Sequence, residues 1–126
     1  MKVTSEIIQV PIYNQDFCIF YGNATEYLDY IRVEFGYRDL VTGRTQARTL
    51  ELKTLGKRHL VLFLNSEHIT EIDPKCFSII SHELIHLTGS VMDFAGIKHD
   101  INNDEAWAYL SGFLSHKIFD FLKIRL

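Results

Sequence analysis

The chain has 126 residues, 47% of them apolar, and a formal net charge of −3. That length suits a single domain spanning 1–126, and the apolar fraction excludes a disordered chain. The slightly negative charge argues against a surface built as a whole to bind polyanions.

The N-terminal stretch from Met1 to Tyr13 carries one lysine, acids and a proline. It has neither the apolar run nor the small-residue cleavage site of a signal peptide. No segment is apolar over the length a bilayer span requires, so no membrane association is expected. Cys18 and Cys76 stand far apart without a CxxC pattern, and read as reduced, buried thiols of a cytoplasmic protein.

Glu6 to Tyr13 and Phe17 to Tyr21 are rich in Ile, Val, Phe and Tyr and read as strands. Pro11 shortens the first or places it at a sheet edge. Asn23 to Glu26 has the form of a capping box, Leu28, Ile31 and Phe35 follow at helical spacing, and Gly36 is a stop. After a turn at Thr42-Gly43, Arg48 to Thr54 alternates polar and apolar residues, as a half-buried strand does. Gly56-Lys57 turns the chain, and His59 to Leu64 is a nearly continuous apolar run, suited to a strand covered on both faces. Asp73-Pro74 opens a second helix with an apolar stripe of Phe77, Ile80, Leu84 and Leu87. It ends at Gly89 or at Gly96. Asn102-Asn103-Asp104 opens a third helix, with Ala106, Leu110, Phe113, Leu114 and Phe121 facing inward and Lys123 and Arg125 at its C-terminal end, where the dipole favours cations.

Chemistry concentrates in Ser81-His82-Glu83-Leu84-Ile85-His86. Histidines four apart on a helix share a face, one turn from each other, and their neutral imidazoles suit one zinc ion. Glu83 is turned by about 100° from His82. That is too far to ligate the same ion easily, but within reach of a water held on it. Such a water has its pKa lowered to about 7, and a carboxylate can take its proton. A catalytic zinc needs a third protein ligand, and Glu105, near the start of the next helix, is the best candidate. Tyr109, Gly112 and His116 follow on the Glu105 face, a stripe expected to point towards the His82 helix.

His82-Glu83-Leu84-Ile85-His86, then eighteen residues, then Glu105 resembles the gluzincin zinc metallopeptidases. Asn103-Asp104-Glu105-Ala106 is similar to the stretch around the glutamate in their aminopeptidase branch. The resemblance implies an α+β minimal zincin-like fold: a small, mostly antiparallel sheet, a packing helix, the HExxH helix and a C-terminal glutamate helix. It implies His82, His86 and Glu105 as ligands of one Zn2+ and Glu83 as the base that activates the water for peptide-bond hydrolysis. It further implies that Leu60 to Leu64 lines the cleft and pairs with a peptide or protein substrate. The segments HELIHLTGS and DEAWAYLSGFL also look like the zinc peptidase-like domains of antirestriction proteins. Gluzincins place an acid four residues after the third ligand, where this chain has Tyr109. Their oxyanion-stabilising group has only His99, Tyr109 and His116 as candidates here, and Asp104 is a candidate partner for a ligand histidine.

Plainer readings stand beside these. A helix whose His82 and Glu83 face water would show the same letters. Asn102 and Glu105 also fit a capping box. Arg38, Arg44, Arg48, Lys53, Lys57 and Arg58 gather in a basic hairpin that would suit phosphates, or merely blunt solvated strands. The alternative to a peptidase is therefore a zinc-stabilised, antirestriction-like binding module contacting DNA or a protein.

Overall fold

The computed structural model describes residues 5–54 and 56–126, and among these are three helices and a four-stranded mixed sheet. The reading of the N-terminus as free of a leader rests partly on residues 1–4, which lie outside that range. In chain order the elements are β1 (Ser5–Ile8), β2 (Phe17–Gly22), α1 (Ala24–Phe35), β3 (Ala47–Thr54), β4 (Lys57–Asn65), α2 (Pro74–Phe94) and α3 (Asp104–Arg125). No helix among the described residues is long and apolar enough to cross a membrane.

The strand order is β1-β2-β4-β3. β4 runs parallel to β2, with Cys18 opposite Val61, and antiparallel to β3, with Leu50 opposite Val61. Parallel neighbours need a long crossover, and α1 with β3 provides it. The apolar run of β4 is divided by its pleat. Leu60, Leu62 and Leu64 join the core shared with α2 and α3, while Val61 and Phe63 join Tyr27 and Ile31 of α1 on the other face. All seven are 2% exposed or less, and Tyr27 stacks on Phe63 at 4.2 Å between ring centroids.

β1 is shorter than the run from Glu6 to Tyr13 suggests, because Pro11 has no N–H for a ladder. Val10 N–H donates to Asp16 Oδ1 at 3.3 Å instead, and the chain turns through Ile12 and Asn14 at positive φ. The α1 signals are all realised. Asn23 and Glu26 form the reciprocal capping box, and Gly36 closes the helix in the left-handed region, at φ 64°. Asp73 caps α2 through Cys76 N–H, and Pro74 takes the first helical position. The helix passes through Gly89 and ends before Gly96, where φ is 75°. Cys18 and Cys76 are free and buried, and burial pushes both thiols above their ordinary pKa.

The link from α1 to β3 is fastened by Asp39, which is 7% exposed. It accepts from Tyr27 Oη at 2.7 Å and from Arg48 Nε at 2.9 Å. Burial alone would raise its pKa, but the hydrogen bonds from Arg48 and Tyr27 outweigh it and hold the carboxyl below the usual value. A depressed folded pKa gives stability that is present above the unfolded Asp value of about 4 and is lost as pH falls through the folded one. Urea midpoints measured from neutral pH into that acid window should therefore fall in the wild type, with a smaller fall in Asp39→Asn.

Candidate metal centre

α2 buries Cys76, Ile79, Ile80, Glu83, Leu87, Thr88, Val91 and Met92. Ile80 and Leu87 of the expected stripe are buried, but the buried face extends past it on the side of Cys76, Ile79 and Glu83. Phe77 is half exposed and leans on Phe119, with ring centroids 5.0 Å apart, and Leu84 is only partly buried. That extension places Glu83 inside the apolar stripe, 6% exposed. Its Oε1 accepts from Thr49 Oγ1 of β3 at 3.0 Å. A buried carboxylate is costly unless hydrogen-bonded, and Thr49 provides that bond.

His82 and His86 stand on the flank of the same helix, both exposed, with ring centroids 5.1 Å apart. His82 Nε2 lies 4.0 Å from Glu83 Oε2. Helical spacing thus brings two imidazoles and one carboxylate together, as the motif predicts. Imidazoles are donors of the type that zinc takes, and these two stand one helical turn apart.

Glu105 is not brought to that pair. Among the described residues no three His, Cys, Asp or Glu side chains are grouped so as to hold a metal ion. Two packing decisions explain this. α3 buries Leu110, Leu114, Ile118, Phe121 and Leu122. At 100° per residue, Glu105, Tyr109, Gly112 and His116 lie roughly 160° round the helix from that stripe. They face solvent, with Tyr109 77% exposed and nothing within 4 Å of a Cβ added at Gly112. The expectation that this stripe points towards α2 is therefore corrected. α3 also meets the Phe77 side of α2, about 160° from the histidines by the same spacing.

The other candidates have local partners. Asp104 holds His99 at 2.8 Å, not His82 or His86, and His116 pairs with Asp120 at 3.1 Å. The capping box at Asn102 does not form. Asn103 is the N-cap, without a side-chain cap bond, and its amide is engaged with Lys98 and Asp100. Glu105 has no capping duty to explain it.

The strand beside the site is also corrected. β4 is bonded on both edges, to β2 and β3, so Leu60 to Leu64 has no free edge for a peptide. β3 is the outer strand on this side of the sheet, as β1 is on the other. Asn65 N–H donates to Gln46 O, which fixes the register as the hydrogen-bonded type at Gln46 and every second residue after it. The backbone groups of Ala47, Thr49, Glu51 and Lys53 then point to the open edge, and Thr49 is the residue that touches Glu83.

Beside Glu83 is an open cavity of about 370 Å³, walled by Arg44, Gln46, Ala47, Ser78 and His82 among others. Thr49, Arg44 and Gln46 carry no sequence signal for this site. Thr49 is one polar position in an alternating strand, and Arg44 reads as part of a basic hairpin. That hairpin offers no single cationic face. Arg48 is turned to Asp39 on the α1 side, while Arg58 is engaged by Glu51 and lies 3.5 Å from Asp93.

No known protein family, curated protein or solved structure matches the chain.

Proposed function

We propose that the protein is a zinc-dependent metallopeptidase on a minimal zincin-like fold. The observation that carries this reading is Glu83: a carboxylate buried in an apolar helix face, fixed by Thr49, one residue from an exposed imidazole pair. A purely structural position in that stripe would be met more cheaply by a leucine. The order of elements supports the same reading, with α1 on one sheet face and the HExxH helix followed by α3 on the other.

His82 and His86 would hold the ion, which would supply carbonyl polarisation and a more acidic water. The resemblance gives Glu105 as third ligand. The present packing of α3 does not fit that assignment. A substrate in extended form would add to the open edge of β3, through the outward backbone groups of Ala47, Thr49 and Glu51. Glu83 then takes a proton from the attacking water as its oxygen adds to the scissile carbonyl carbon. The same proton passes to the amine as the C–N bond breaks. Thr49 keeps the carboxylate aimed through both transfers. The split charges of the β3–β4 hairpin give no support to a DNA-binding module.

Elemental analysis of the purified protein is expected to find one zinc per chain, lost when His82 and His86 are both replaced by alanine. A wild type without stoichiometric zinc removes the proposal.

A further inference from the structure

We propose that the cavity beside Glu83 is a carboxylate-binding subsite governed by Arg44. On this view the protein selects peptides with an acidic group next to the bond it cleaves. The inference rests on the peptidase reading for its substrate, but on separate observations for its chemistry.

The first is the composition of the wall. Arg44 and Ser78, residues that carry a guanidinium and a hydroxyl, stand on the wall of the cavity. The one acid on the wall is Glu83, already held by Thr49. The second is charge. Arg48 and Arg58 are paired with acids, whereas Arg44 forms no ion pair among the described residues. A guanidinium without an internal partner, carried by a residue of the cavity wall, matches the planar two-oxygen geometry of a carboxylate.

The third is the fixed backbone of the turn that carries the exposed Arg44 side chain. This tight turn is closed by Thr45 N–H to Thr42 O at 3.0 Å. Thr42 Oγ1 accepts from Arg44 N–H at 3.2 Å. Asn65, fully buried, donates its amide to Thr45 O at 2.8 Å, and the His68 ring donates to Gly43 O at 2.8 Å. Fixed turns of this kind limit the backbone part of the ordering cost of binding. Ser78 lies one helical turn before His82 on α2, so the donors flank the reacting position without occupying it. That location suits recognition of a neighbouring substrate group. The group is a carboxylate, from an acidic side chain or from a free C-terminus.

The test uses matched peptides that differ by Glu against Gln, each with a free or an amidated C-terminus. Cleavage is measured with the wild type and R44Q. Binding is measured by fluorescence anisotropy on E83Q and on R44Q/E83Q. The wild type is expected to cleave the acidic peptide with kcat/KM about tenfold above its neutral match, and R44Q to level the two. A preference that follows the Glu residue identifies a side-chain carboxylate; one that follows the free terminus identifies the α-carboxylate. Equal cleavage by the wild type, or a preference retained in R44Q, overturns the subsite and leaves the peptidase standing. If no peptide is cleaved, anisotropy decides alone. Tighter binding of the acidic peptide, lost in R44Q/E83Q, keeps the subsite and discards the peptidase, whereas equal binding discards the subsite.

Discussion

Glu83→Gln is expected to lower peptide hydrolysis by about 10²- to 10⁴-fold, the usual contribution of a positioned general base, while zinc content and fold stay as in the wild type. The substitution is nearly isosteric. Its amide oxygen can still accept from Thr49 Oγ1, which now bonds the Glu83 carboxylate at 3.0 Å. What it removes is the ability to take a proton. Glu83→Leu completes the comparison. Leucine suits the stripe formed by Ile79, Ile80 and Leu87 and needs no partner, so that variant is expected to be inactive yet to unfold at higher urea than the wild type. A base kept at a cost to stability predicts this opposite movement of activity and stability. Hydrolysis that survives in Glu83→Gln would remove Glu83 from the mechanism.

Local signals were legible and were realised almost residue for residue. The box of Asn23 and Glu26, the stop at Gly36 and the cap at Asp73-Pro74 each depend on neighbours within four positions. The β4 run was equally clear, because a strand buried on both faces has no polar alternation to disguise it. The pair of His82 and His86 belongs to this class, since helix geometry alone brings the rings to 5.1 Å.

Faces and strand order were less legible. α2 is apolar over more than half its circumference, so beside Ile80 and Leu87 the residues Phe77 and Leu84 completed a stripe on paper as well as Cys76 and Ile79 do in the fold. Which face turns inward is settled by what the sheet and α3 present to it. The buried residues of α3 were largely foreseen, and their consequence for Glu105 follows from the same spacing: a stripe opposite Leu110 and Leu114 faces solvent. That β3 and not β4 has the open edge is a property of the order β1-β2-β4-β3, which periodicity within a strand does not encode. Thr49 meets Glu83 across 34 positions of sequence, and nothing local marks either as the other's partner.

The second large effect concerns Glu105. Glu105→Ala is expected to leave folding stability within about 0.5 kcal/mol, because the side chain is exposed and caps nothing. Zinc affinity measured on that variant therefore reads ligation alone. With Glu105 as third ligand the loss should exceed about 100-fold, more than supporting partners of a metal site contribute. The structure adds an independent optical readout. Trp107, the single tryptophan, lies two residues from Glu105 and rests on the His99 ring at 4.6 Å between centroids. Because Glu105 now faces away from the histidines, its ligation has to move the start of α3 relative to α2, and zinc should then change the Trp107 emission. The change should be absent in Glu105→Ala. Zinc bound with undiminished affinity by Glu105→Ala, and with silent Trp107 emission in the wild type, would mean that the ion rests on His82 and His86 without Glu105. Two imidazoles do not make a catalytic zinc site, so that result would leave Glu83 beside a metal but without the chemistry proposed for it.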